Sequence, residues 1–88
     1  MMGAYTYLNG KKIKFWKVQV ATEDEIIAED MDFLRNGTVI VSDPRDGIFI
    51  KTKEGILKVL EIQGENARKM AIQDFLRGNT IEEFEVFE

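Results

Sequence analysis

The sequence predicts a mainly β protein: a small, OB-like, partly open Greek-key barrel of about five strands, with one helix late in the chain. Three observations lead there. Turn signals recur at short intervals, at Asn9-Gly10, Asn36-Gly37, Asp43 to Gly47, Glu54-Gly55 and Gln63-Gly64. The segments between them are short and rich in Val, Ile, Phe and Thr, as strands joined by tight turns are. The 88 residues include one proline, Pro44, and no low-complexity run or repeat, so residues 1–88 read as a single domain. An SH3-like or other small barrel meets the same observations.

The first long strand is expected over residues 12–21. Ile13 and Phe15 share one parity, whereas Trp16, Val18 and Val20 share the other, so the inward face must switch near Phe15-Trp16. A bulge or sharp coil there reconciles the two halves. A segment over 23–34 has an apolar stripe of Ile26, Ile27, Met31 and Leu34 amid many acids, and reads as an ordered loop or short helix.

Further strands are expected over 38–42, 47–53 and 56–63. In the second of these, Ile48, Ile50 and Thr52 alternate with Phe49, Lys51 and Lys53, a half-buried pattern with two lysines outward. The third, Ile56 to Ile62, is apolar on both parities and belongs at the sheet centre. Within 66–77, Met70, Ile72, Phe75 and Leu76 fall on one helical stripe, and Gly78-Asn79 is a suitable stop. A last strand is expected from Ile81 to Phe87, alternating imperfectly with Glu82, Glu83, Glu85 and Glu88.

Composition closes most catalytic routes. With neither His nor Cys there is no thiolate nucleophile, imidazole base, Cys/His zinc site or Ser-His-Asp triad, and no catalytic, cofactor or metal residue is assigned. Asp43 and Asp46 flank Pro44 but lack the run of oxygen ligands that calcium needs, so a turn is expected there. The pairs Glu25/Glu29 and Glu82/Glu85 read as solvated faces rather than catalytic carboxylates. No stretch reads as a signal peptide or spanning helix, so a cytoplasmic protein without membrane contact is expected.

The net charge of −4 is unevenly spread. Residues 1–22 hold Lys11, Lys12, Lys14 and Lys17 and no acid, whereas residues 23–32 hold six acids and the last seven residues four more. Outside those two acidic segments the balance is +6, enough for a basic face on a formally acidic chain. The four lysines surround Phe15 and Trp16, the combination a barrel surface uses to track phosphates and stack bases. The competing reading puts both aromatics in the core and leaves the lysines to solubilise an edge strand. Lys51, Lys53, Arg68, Lys69 and Arg77 are candidates to extend the same face, and Arg77 is also spaced to meet Asp74 at i, i+3.

Particular residues resemble a known family. Gly3 to Lys17 (GAYTYLNGKKIKFWK), Asp46 to Ile50 (DGIFI), Gly55 to Gln63 (GILKVLEIQ), Lys69-Met70 and Asp74 to Gly78 (DFLRG) are similar, in order, to the C-terminal domain of methionyl-tRNA formyltransferase. The resemblance covers roughly residues 3–81 and implies an OB-like barrel that follows a Rossmann-type catalytic domain, absent from this chain. It implies a non-catalytic tRNA-associated module, linked to formylation of initiator methionyl-tRNA in translation initiation and protein biosynthesis. Its partners would be the tRNA acceptor arm and a catalytic formyltransferase domain or chain. The family's folate site and catalytic set would lie in that other domain, leaving no cofactor here. Related sugar-nucleotide and folate-linked formyltransferases carry similar domains without binding nucleic acid, so a structural or protein-interaction role is the alternative. Ala71 stands where the family usually has a helix-capping Ser, which leaves Asn66 as the expected cap of a longer helix.

Overall fold

The computed structural model describes residues 4–21, 34–53 and 55–88. The acidic segment expected over 23–34 therefore lies outside the described residues, apart from Leu34. The elements are β1 (Ala4–Leu8), β2 (Lys11–Val20), β3 (Val39–Asp43), β4 (Gly47–Thr52), β5 (Gly55–Gln63), β6 (Met70–Ala71) and α1 (Ile72–Gly78). The strands form one antiparallel curled sheet in the order β1-β2-β5-β4-β3, with β6 also pairing β5. The apolar run of β5 is central, as both its parities required.

β1 precedes the first strand expected from sequence. It pairs with β2 through a two-residue turn in which Asn9 and Gly10 both have positive φ, 53° and 80°. That backbone matches the twist of the strands it joins, hence the Asn-Gly pair.

The parity switch in β2 is resolved by a double irregularity. Phe15 pairs with Ile62, Lys17 with Glu61 and Val18 with Val59, and the register shifts on both sides of Lys17. Trp16 is thus an extra residue on β2 and Leu60 one on β5. The shift lets Ile13, Phe15 and Val18 all reach the core, where Ile48, Val59, Ile62, Val39 and Ile72 are fully buried.

The helix is shorter than its stripe suggested. Asn66 has φ 60° within a turn, and no helix follows it before Ile72, so it does not act as a cap. Met70 and Ala71 instead pair with Ile62 and Glu61, and α1 begins at Ile72 with Ala71 as an N-cap that makes no side-chain hydrogen bond. Ile72 and Phe75 enter the core, and at the far end the Asn79 side chain donates to the Phe75 carbonyl at 3.1 Å.

The expected last strand, Ile81 to Phe87, is also corrected. It forms one isolated bridge, Thr38 with Val86, because Phe84 at φ 73° interrupts the extended backbone. The segment nevertheless bonds to both edges of the sheet. Phe84 N donates to Val39 O at 2.7 Å, Val39 N to Glu85 O at 2.8 Å, and Phe87 N to Gly37 O at 2.9 Å. Glu88 N then donates to Tyr7 O on β1 at 2.8 Å. An irregular tail thus spans the gap between β3 and β1, and its Ile81 and Phe87 are core residues. The Ser42 hydroxyl donates to the Ile81 carbonyl, holding the start of the tail against β3.

Candidate nucleic-acid interface

Register decides which basic residues meet. Tyr5 lies opposite Lys14 and Tyr7 opposite Lys12, so these four share one face of the β1–β2 hairpin, while Thr6 and Ile13 share the other. Ile13 is buried, which makes the tyrosine-lysine face the outer one. Tyr5 and Tyr7 are 58% and 48% exposed there. The Lys12 ammonium sits 4.1 Å from the centroid of the Tyr5 ring, and that of Lys14 sits 5.1 Å from it.

The bulge adds Trp16 to this face. Lys14 Nζ lies 4.1 Å from the Trp16 ring centroid, and Lys69 Nζ approaches the same ring at 5.1 Å. The indole N–H donates to Gln63 Oε1 at 2.8 Å, and Gln63 Nε2 donates in turn to the Ala67 carbonyl at 2.8 Å. Gln63 thereby ties the indole to the turn that carries Lys69. Rings and ammoniums alternate from Tyr5 through Lys14 and Trp16 to Lys69, each contact worth about 0.5–1 kcal/mol at an exposed site.

Beside this row lies an open recess of about 180 Å³, lined by Tyr5, Lys12, Lys14 and residues 63–66. The face is not purely basic. Glu65 lines the recess and its Oε2 lies 3.4 Å from the Lys12 amide, while Lys17 stands opposite Glu61.

The other candidates lie elsewhere. Lys11, at the start of β2, lines a separate groove with Ile13, Phe75 and Asn79. Lys51 and Lys53 line an apolar cavity of about 190 Å³ at the barrel mouth, with Phe15, Val18, Leu57 and Phe87, and Lys51 Nζ donates to Asn36 Oδ1 at 3.0 Å. Arg68 is exposed next to Lys69, and Arg77 meets Asp74 on α1 at 3.2 Å, the i, i+3 contact expected from their spacing. The aromatic pair also splits. Phe15 packs edge-on against Phe87 at 5.2 Å between centroids, whereas Trp16 faces outward. A single basic face is therefore built from Lys12, Lys14 and Lys69, with Lys17 beyond the bulge.

Sequence reasoning passed over Tyr5, Tyr7 and Gln63. The tyrosines had a signal: Tyr5-Thr6-Tyr7 alternates ahead of an Asn-Gly turn, as a short strand should. Gln63 had none, because its role depends on a register that the two extra residues create.

The acidic candidates have structural employment. Asp43 Oδ1 accepts the Arg45 amide at 2.7 Å and the Asp46 amide at 3.1 Å, so it closes a turn, and these two bonds hold its carboxyl below the usual carboxylate range. Glu85 accepts from the Glu82 amide and from Asn9 Nδ2, each at 2.7 Å, and Glu88 meets Arg35 at 3.4 Å. Among the described residues no group of three His, Cys, Asp or Glu side chains could hold a metal ion, and no helix is long and apolar enough to cross a membrane.

The family described as formyl transferase, C-terminal domain, matches residues 1–80. A methionyl-tRNA formyltransferase of Carboxydothermus hydrogenoformans is 37% identical over 76 residues, which are 86% of this chain and 22% of the relative. That of Geobacter metallireducens is 38% identical over 80 residues, 91% of this chain and 22% of the relative. That of Dictyoglomus thermophilum is 37% identical over 86 residues, 98% of this chain and 26% of the relative. The chain thus spans about a quarter of the length of the curated relatives it matches. With the barrel, the late helix and a match over most of its residues, the chain belongs to the formyl transferase C-terminal domain family.

Proposed function

We propose that this chain is a non-catalytic, tRNA-associated module of a cytoplasmic methionyl-tRNA formyltransferase. In this reading it helps a catalytic domain hold initiator methionyl-tRNA by the acceptor arm. The carrying observation is the convergence of Lys12, Lys14 and Lys69 on one outer face, fixed by the β1–β2 register and the Gln63 bridge. Three ammoniums gathered on one face by the backbone register can meet phosphates together, and phosphate contacts dominate RNA affinity. Lys17 and Arg68 flank this face, and Lys11 lies on the neighbouring groove. Lys51, Lys53 and Arg77 add only to the longer-range field.

Fluorescence anisotropy of labelled initiator tRNA across a salt series tests the reading. Binding is expected to weaken steeply as salt rises, and the Lys12→Glu/Lys14→Glu double variant should lose most of it. Absence of binding at low salt, or affinity indifferent to salt and to the double variant, would remove the RNA role.

A further inference from the structure

The outer face of the hairpin offers rings as well as charge. Tyr5 and Tyr7 stand on the same face of β1, two residues apart, and β1 pairs on one side with β2 while on the other Tyr7 O accepts the Glu88 amide of the tail. Two strand residues span about 6.8 Å, twice the ~3.4 Å rise between stacked bases. Neighbouring bases can therefore lie on both rings only if they are unstacked from each other. A duplex forbids that; an unpaired strand permits it.

Charge placement agrees. Each tyrosine has a lysine directly across the ladder, and both ammoniums lean over the Tyr5 ring, so a backbone running along the hairpin meets this positive charge at its Tyr5 end. Lys12 and Lys14 rest on the Tyr5 ring, a position a base can take over while the ammonium turns to the adjoining phosphate. Trp16 is the third ring of the row, but its indole is held by Gln63 and covered by Lys14 and Lys69.

We infer that this face takes an unpaired RNA segment, with successive bases on Tyr5 and Tyr7 and their phosphates on Lys12, Lys14 and Lys69. The inference rests on the RNA reading above and narrows it from tRNA in general to a single-stranded part. Anisotropy of the full 88-residue chain with two probes tests it: an unstructured oligoribonucleotide of about 10 nucleotides, and a blunt RNA hairpin of similar charge whose strands are joined by a non-nucleotide linker, so that it has no unpaired base.

The single strand is expected to bind more tightly than the hairpin. Tyr5→Ala and Tyr7→Ala should each weaken single-strand binding roughly 5- to 100-fold, while Tyr5→Phe and Tyr7→Phe keep it. Retention by the phenylalanine variants shows that the rings, not the hydroxyls or the fold, carry the effect. Equal or tighter binding of the hairpin, or alanine variants that bind the single strand as wild type does, overturns the inference and leaves the RNA reading standing. Failure of both probes and of tRNA to bind at low salt overturns both.

Discussion

Gly37 lies so close to Phe87 that a Cβ on it would fall 2.1 Å from the Phe87 carbonyl oxygen. Gly37 also has φ +95° and accepts the Phe87 amide at 2.9 Å while donating its own to Lys51 at 2.7 Å. The tail that spans the sheet edges can seat here only because the position has no side chain. Gly37→Ala should destabilise by roughly 2–4 kcal/mol, combining backbone strain with displacement of the tail. Gly10→Ala, at φ +80° with open space around it, should cost only about 1–2 kcal/mol. Urea unfolding of both variants checks this, and equal losses would mean that the seam contributes nothing.

Phe87 is the other half of that seam. It is buried and packs edge-on against Phe15, so Phe87→Ala should cost about 3–5 kcal/mol, much of the stability of a domain this size. Because Gly37→Ala and Phe87→Ala both unseat the same segment, the double variant should lose clearly less than the summed single losses. Losses that simply add would show that the tail does not move as one piece.

What could be read from sequence divides along physical lines. The switch of parity between Phe15 and Trp16 announced the bulge, since side-chain direction on a strand is local information. The apolar run over Ile56 to Ile62 announced the central strand for the same reason. The closure by Phe84 to Glu88 was hidden, because it depends on a positive φ at Phe84 and on a glycine 47 positions away from it. At the site, Lys11, Lys12, Lys14 and Lys17 read alike as one lysine-rich strand, and Lys51 and Lys53 looked equivalent to them, although Lys11 lines a separate groove and Lys51 and Lys53 line the barrel mouth. Alternation says which side of a strand a lysine takes; only the curl of the sheet says where that side points.

The start of α1 leaves a stabilising substitution open. Ala71 has the extended backbone of an N-cap, φ −62° and ψ 148°, is exposed, and has no side-chain oxygen for the first free amides. Ala71→Ser should raise stability by about 0.5–1 kcal/mol. Serine is preferable to aspartate, because residue 71 pairs with Glu61 and a second carboxylate would face the first. A urea midpoint at or below that of wild type would show that the hydroxyl does not reach the amides.

Asp43 gives the turn between β3 and β4 a pH dependence of definite sign. Its folded-state pKa is lowered by the amides of Arg45 and Asp46. Its contribution is therefore complete above the unfolded value, near pH 4, and is lost as pH falls through the lower folded value. In Asp43→Asn the amide oxygen still accepts a hydrogen bond but does not titrate. The stability gap between wild type and Asp43→Asn should be constant above about pH 5 and close below about pH 4. A gap that stays level down to acid unfolding would mean that the Asp43 carboxylate has no privileged bonds in the folded state.

Salt dependence separates lysines that touch RNA from cations that do not. Lys14 stands between the Tyr5 and Trp16 rings, while Arg77 is already paired with Asp74 on a different element. Lys14→Ala should reduce the slope of log affinity against log salt by about 0.7 to 0.9, one phosphate contact, and change stability by no more than about 2 kcal/mol, the sum of its two ring contacts. Arg77→Ala should leave the slope at the wild-type value and lower affinity only slightly through the longer-range field. The slope is the discriminating quantity, because a general loss of positive charge shifts affinity with little change in the number of ions released. If Arg77→Ala reduced the slope as much as Lys14→Ala, the RNA would lie across the helix rather than along the hairpin. The alternation of rings and ammoniums on β1 and β2 would then be a structural feature of the barrel alone.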